Sequence, residues 1–353
     1  MTLETTVPRV PADDDDRQVL TELATDLLAR HCDREHLRAR LDLGQAHDPA
    51  LWRRLSEAGL VSALVPPEHG GAGLSTSSVS GLLHVLGRHA TPEPFLETAV
   101  VGVEVLSAFP DSAVATTWLP RIAAGEALVG VRLGPLTPYV VHGADVDLLL
   151  DLTPDGTVRA FTADDLDVTP VQSLDELRPL ASIEPRGDGE LLGVAPEVVD
   201  RARTVAVAGA ACLLAGASRA LLDQTVDYVT VRHQFGRPVG SFQAVKHAAA
   251  DLAVMVDMAT SAALAAIDSL DRSDPDDARR RAWSAKAYAG DAADRANVAA
   301  LQLHGGIGFT WEYHLHLWLK RVMGLAASYG TTATLRRDLA RELLARTREA
   351  AAR

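Results

Sequence analysis

Apolar residues recur at three- and four-residue spacing from Arg17 onward, starting with Leu20, Leu23, Leu27 and Leu28, and this period predicts a helix. The same reading gives helices through Leu51, Trp52, Leu55 and Ala58, ending at Gly59, then over Thr76–Leu86 and Phe95–Phe109. The run Trp118–Ala124 reads as a short helix closed by Gly125. At Leu128 the period shortens. Val129–Leu133, Val140–Val141, Asp147–Leu152, Val158–Phe161 and Leu166–Val171 are strand-like, with a hairpin turn at Pro154-Asp155-Gly156. From about Pro196 the helical period returns. Val198–Val231 forms one long pattern. The next starts after Ser241, a candidate N-cap, with Phe242, Val245, Leu252, Met255 and Met258 as its apolar set. Asp274-Pro275 breaks the chain and restarts it into Ala278–Leu303, and a last helix covers about Thr334–Ala350.

These elements predict a mostly α protein with three parts. An N-terminal helical domain spans 17–127, a small central β-domain 128–195, and a C-terminal four-helix bundle 196–353. Residues 1–16 end in four aspartates without apolar period and read as a disordered lead-in.

Composition narrows the function. The 353 residues are 47% hydrophobic and 23% charged, ordinary for a globular chain with a real core. The formal net charge of −13, with no concentrated basic face, argues against a nucleic-acid partner. Two cysteines are too few for a disulfide framework. His31, Cys32 and His36 lie close together but sit in an Arg/Asp-rich helical pattern, which reads as an exposed helix rather than a metal site. No apolar run approaches the roughly 20 residues of a membrane span, and no signal pattern opens the chain. The expectation is a cytoplasmic protein without a membrane partner.

The loop from Val65 to Ser75 contains Gly70-Gly71-Ala72-Gly73. It lacks the Lys-Ser/Thr of a P-loop and the βαβ setting of a dinucleotide fingerprint, so it reads as a tight connection. Three later segments carry more chemistry. They are Arg232-His233-Gln234-Phe235-Gly236 with Pro238, then Gln302-Leu303-His304-Gly305-Gly306-Ile307-Gly308-Phe309, then Ser328-Tyr329-Gly330-Thr331. An arginine fork suits phosphate oxygens, and paired glycines let backbone approach a ligand. Each segment taken alone also fits an ordinary helix end.

Together, and in this order, they resemble the acyl-CoA dehydrogenase family of flavoproteins. The resemblance covers nearly the whole chain and includes Leu51-Trp52, Val65-Pro66, Gly70-Gly71, Trp118-Leu119-Pro120 and Ala124-Gly125-Glu126. It implies FAD at a subunit interface. Arg232 would meet the pyrophosphate of a flavin seated mainly in the neighbouring subunit, and Gln234 and Phe235 would line it. Gln302, Leu303, His304, Gly305 and Gly306 would reach it across the interface, and Thr331 would lie near the adenine part. The implied reaction takes a proton from Cα and a hydride from Cβ of an acyl-CoA.

The chain departs from the family pattern where the base belongs. The usual Glu before Gly-Thr is Tyr329 here, and a phenol with a pKa of about 10 is a poor base at neutral pH. The alternative position, on the first bundle helix, falls in the acid-free run Arg203–Leu222 near Cys212, which reads as a small buried residue. The β-domain lacks the usual flavin-ring loop, having Arg132–Pro138 instead, and no tryptophan lies between Trp118 and Trp283. These features resemble the short subunit of two-gene acyl-CoA dehydrogenases, whose longer partner supplies the base. The expected partners are an acyl-CoA substrate, an electron-accepting flavoprotein, and either a second copy of the chain or a longer homologue in a heterotetramer. Two other readings stay open. One is a non-catalytic scaffold without flavin. The other is a different reaction on the same fold, with Tyr329 or His304 as acid.

Overall fold

The structure is a computed structural model that describes residues 14–351. Its N-terminal part holds six helices: α1 (Asp14–His31), α2 (Arg34–Leu43), α3 (Pro49–Glu57), α4 (Ser80–Arg88), α5 (Val103–Ser107) and α6 (Ala113–Ala123). Asp14, Asp15 and Asp16, expected in a lead-in, form the first turn of α1, where carboxylates complement the helix dipole. The remainder of that lead-in, residues 1–13, lies outside the described residues. Asp33 and Asp48 cap α2 and α3 by accepting from the backbone N–H of His36 and Ala50. The stretch read as one helix over 95–109 begins instead with a buried π-helical segment, Leu96–Gly102, that continues into α5.

Seven strands follow: β1 (Val129–Arg132), β2 (Val140–Val141), β3 (Leu148–Leu152), β4 (Thr157–Thr162), β5 (Leu166–Val171), β6 (Leu180–Pro185) and β7 (Glu190–Val194). They form a sheet of order β1-β3-β4-β7 and a second of order β2-β6-β5. Strand periodicity divides β3. Leu149 joins Phe161, Leu166 and Ile183 in a small core of the β region, while Leu148, Leu150 and Leu152 join the main core. The sequence analysis assigned no strand to β6 or β7.

The C-terminal part is built on α7 (Pro196–Val231), with α8 (Gln243–Arg272), α9 (Pro275–His304), α10 (Leu315–Ala327) and α11 (Thr332–Ala351). α7 is the central helix, and its small residues permit close crossings. A Cβ at Gly216 would lie 2.0 Å from the His84 carbonyl oxygen, and one at Gly87 would lie 2.1 Å from that of Leu213, so α4 and α7 meet glycine to backbone. The sequence reading missed α10, which packs on α7 and α9; the last helix, α11, rests on α9. Ser241 does not cap α8. It closes a 3₁₀ turn, and α8 begins after Phe242 without a side-chain cap. Met258, placed in the apolar set of α8, is exposed together with Val254, while the helix buries Leu252, Val256, Ala259 and Ala263.

The expectation about apolar runs needs correcting. α7 and α8 are both long and apolar enough to cross a membrane by length and composition. Alanine raises their mean hydropathy. In α7 this reflects its role as the core helix of the bundle, with 89% of the apolar window buried, against 33% in α8.

Candidate functional site

α7 and α9 run side by side with α8 between them in sequence, so the C-terminal ends of α7 and α9 fall at one end of the bundle. That brings the first two sequence-predicted segments together. The Tyr228 ring on α7 stacks on His304 of α9 with centroids 4.4 Å apart, and Tyr313 closes on both. Beyond Val231 the chain folds into a two-residue hairpin in which Gln234 pairs with Arg237. Its tip, Phe235-Gly236, has φ of +52° and +77°. A tight hairpin requires both values to be positive, which suits Gly236 and costs the Phe about 1–2 kcal/mol. The strained Phe235 ring is 92% exposed.

This end of the bundle has the form of an open cradle. Arg232 is exposed, and its guanidinium has no partner among the described residues. A Cβ at Gly305 or Gly306 would meet nothing within 4 Å. Gln302 is exposed and Leu303 half-buried, while Phe309 and Trp311 expose large rings nearby in the chain. Free phosphate-binding donors, open backbone and exposed rings fit an anionic, aromatic cofactor such as FAD. Two predicted members are less available. Gln234 donates its amide to the His233 carbonyl at 2.9 Å. The His304 ring is buried and donates through Nδ1 to the Ala300 carbonyl at 2.8 Å. Burial lowers its pKa and keeps it neutral, so His304 anchors the loop and is badly placed as an acid.

The third segment lies elsewhere. Thr332 packs against Gly290 of α9, fourteen residues before His304, which places the Tyr329–Thr331 turn roughly 20 Å along the bundle from the cradle. The exposed Thr331 caps α11 through its hydroxyl, which accepts from the Thr334 N–H at 3.2 Å. Tyr329 has φ of +55° and is buried. Its hydroxyl donates to Glu97 at 2.5 Å. Burial first, and then the Glu97 charge, push that phenol well above its ordinary range. Tyr329 is therefore neither a base nor an accessible acid.

Glu97 and the residues around it form a buried ionic group that the sequence analysis missed. Glu97 sits in the π-helical segment and pairs with Arg178 at 2.7 Å; both side chains are less than a tenth exposed. Arg178 also donates to the Ser328 hydroxyl at 3.0 Å. Asp175 pairs with Arg321 of α10, and Arg321 donates to the Thr91 carbonyl at 2.7 Å. Charged residues scattered over three parts of the chain gave no local signal; only Arg178 and Asp175, flanking an apolar Leu177, could have raised suspicion.

Lys286 of α9 completes this region. It is buried and donates to the carbonyls of Ala326 at 3.2 Å and Gly330 at 3.5 Å, holding the end of α10 and the Tyr329 turn. Burial, reinforced by the Arg178 charge, lowers its pKa to about 7. Below pH 7 the amine is charged in both folded and unfolded chains, and burial exacts its full cost. Between about pH 7 and its unfolded value near 10.4, the unfolded chain binds the extra proton, so stability rises with pH. Lys286→Met is expected to remove a rise of up to about 1.4 kcal/mol per pH unit over that range. Urea unfolding of both proteins at pH 7.5 and 9.5 measures it, and equal pH slopes would refute it.

The departures noted in the sequence also have structural form. Arg132 is held in a fork by Asp151, at 2.7 and 2.6 Å, and donates to the Ile183 carbonyl, so it is committed within the β region. Cys212 is fully buried, and burial raises its thiol pKa. Cys32 is buried as well, and its thiol is pushed up to about 12, while His36 lies 3.5 Å from Asp48. Among the described residues no cluster of His, Cys, Asp and Glu could hold a metal ion. In the Val65–Ser75 loop a Cβ at Gly71 would lie 2.0 Å from the Val65 carbonyl oxygen, which makes that glycine a packing requirement.

A helical part, a small pair of sheets and a helical bundle with a cradle at one end make up the three-part layout that the sequence resemblance implied. The chain belongs to the acyl-CoA dehydrogenase family. The family model for the acyl-CoA dehydrogenase N-terminal domain matches residues 14–126, and that for the C-terminal domain matches 194–344. Acyl-CoA dehydrogenase IpdE2 of Mycobacterium tuberculosis (strain ATCC 25618 / H37Rv) is 34% identical over 313 residues, covering 88% of this chain and 92% of that protein. The fold matches a chain of the ChsE4-ChsE5 complex from Mycobacterium tuberculosis with a TM-score of 0.87 at 24% identity, over 94% of this chain and 98% of that one. It also matches the Tcur3481-Tcur3483 steroid ACAD G363A variant with a TM-score of 0.84 at 24% identity, over 96% and 99%. Family membership makes the chain an acyl-CoA dehydrogenase-type oxidoreductase, of a class that acts on CH–CH groups and uses FAD.

Proposed function

We propose that this chain is one subunit of an FAD-dependent acyl-CoA dehydrogenase that introduces an α,β double bond into an acyl-CoA thioester, with the base supplied by a longer partner chain. The observation that carries the reading is Tyr329. At the position of the usual carboxylate stands a buried phenol that donates a hydrogen bond to Glu97. The acid-free interior of α7 offers no substitute, since its matching turn holds the buried Cys212.

In this reading Arg232 binds the pyrophosphate of a flavin seated in the partner, and Phe235 packs against it. Gln302 and the Gly305-Gly306 backbone close over the same molecule, with Leu303 lending apolar surface; Thr331, roughly 20 Å along α9, takes no part in this cradle. The chain thereby orients the cofactor and excludes water from one side. FAD held there would supply the hydride-accepting chemistry for Cβ and the route for electrons to an electron-transfer flavoprotein. The partner's carboxylate takes the Cα proton. The ChsE4-ChsE5 complex and the Tcur3481-Tcur3483 variant, each a pairing of two proteins, support an assembly of two different chains.

The test is co-purification of the chain with a longer homologue that carries a Glu on its first bundle helix. Flavin absorbance and acyl-CoA desaturation with an artificial electron acceptor are expected from the pair, and no desaturation from this chain alone. A complex free of flavin, or full activity without the partner, would sink the proposal.

A further inference from the structure

We infer that residues 172–179 form a strap that seals this chain's own acyl cavity, so that the chain serves catalysis only through the cradle it offers to its partner. The inference rests on the reading above that Tyr329 marks the position of the missing base. The strap leaves β5 after Val171 and returns to β6 at Leu180. Between them it crosses from the β region onto the bundle and is fastened at three places.

Asp175 pairs with Arg321, and both side chains are about 5% exposed or less. Glu176 pairs with Lys320 at 2.6 Å on the outer side. Arg178 enters deepest, bonding Glu97 at 2.7 Å and Ser328 at 3.0 Å while its guanidinium lies 5.8 Å from the Tyr329 ring centroid. Between these anchors Leu177 is 2% exposed, and its carbonyl accepts from Arg321 at 3.3 Å. Each buried charge therefore has its counter-charge supplied by another part of the fold.

Behind the strap lies a cavity of about 20 Å³, with an apolar side that includes Phe95, Leu213 and Leu325 and a polar side formed by Glu93, Glu97, Arg178 and Arg321. That is room for about one water molecule. Small-ligand sites begin near 300 Å³. The apolar lining is what an acyl chain would contact, yet no acyl chain fits while the strap is in place. Opening it would break the Asp175 and Arg178 pairs together and leave Arg321 and Glu97 without their counter-charges, which opposes any population of an open form. The cradle of Arg232 and Gly305 lies roughly 20 Å away along α9 and is untouched by the strap. The two functions, gripping a flavin in trans and binding substrate in cis, are thus separable in this chain, and only the first is open.

The test introduces Leu325→Cys into the full chain and follows its modification by an eight-carbon alkyl methanethiosulfonate, with peptide mapping to separate it from the buried Cys32 and Cys212. With the native strap, labelling is expected to be about 100-fold slower than at an exposed control, Leu343→Cys, as befits a minor open form. Adding Arg178→Ala is expected to accelerate labelling of Leu325→Cys at least tenfold. Labelling with the native strap as fast as the control overturns the seal. Slow labelling that neither Arg178→Ala nor Asp175→Ala accelerates overturns the strap as its cause. Should Arg178→Ala fail to fold, the paired variant Glu97→Gln/Arg178→Met takes its place, and the rate with the native strap still decides whether the cavity is closed. Loss of flavin from the two-chain assembly would sink the proposed function without changing these rates, so the two failures are distinguishable.

Discussion

Glu97→Ala is expected to destabilise the chain by about 3–5 kcal/mol, the usual cost of leaving one member of a buried ion pair without its partner. The reason is geometric. Arg178 is nine-tenths buried, and among the described residues Glu97 is its one carboxylate contact within ion-pair distance. Glu97 also accepts the Tyr329 hydroxyl, so the substitution strands a cation and leaves a phenol donor unpaired. The double variant Glu97→Gln/Arg178→Met removes both charges and keeps similar volumes. It should recover most of the loss, because a buried pair contributes little beyond what well-packed neutral groups provide. Urea unfolding of the three proteins measures the effect. A single-variant loss under about 1 kcal/mol would show that Arg178 finds water or another acid, and that the group is less enclosed than its burial indicates.

Arg232→Ala is expected to weaken flavin retention in the assembly with a partner by about 100-fold, equivalent to about 3 kcal/mol, the strength of a forked charge-assisted contact with phosphate. The chain's own unfolding should change little, because Arg232 is exposed and bonds no side chain among the described residues. Arg232→Lys should restore part of the affinity, since it keeps the charge and loses the fork. Flavin titration followed by absorbance, alongside thermal unfolding, separates the two effects. Unchanged flavin affinity in Arg232→Ala would remove this residue from the cofactor site. A parallel fall in affinity and stability would make its role structural.

Both predictions concern charges, but they differ in how they could be found. Arg232 was legible in the sequence because its motif is contiguous: a cation, a ring and a glycine follow one another where a helix stops. The same holds for Gly305-Gly306. Their spacing along the chain is their spacing in space. Glu97, Arg178, Asp175, Arg321 and Lys286 were not legible, because each meets its partner from a different element and only through packing. A short helix such as α10 escaped for a related reason. Its thirteen residues bury Arg321 among Leu317, Trp318 and Val322, and a charge on the buried face makes sense only once the fold brings Asp175 to it. The π-helical segment at Leu96–Gly102 has the composition of an ordinary helix, and its extra residue per turn is set by surroundings that bury every side chain in it.

Periodicity by itself determined the order of helical, strand and helical parts, since apolar spacing is a property of each segment alone. Motif order by itself pointed to the family and to the end of α7 as an anion grip. The tertiary structure decided the rest. It placed the Arg232 and Gly305 segments in one cradle because α7 and α9 end at the same side of the bundle. It set Tyr329 and Thr331 roughly 20 Å away along α9. It also turned Tyr329 from a doubtful base into a buried donor to Glu97. A side chain's proton affinity depends on what surrounds it in space, and at this position burial and residues 97 and 178, far apart in the chain, set it.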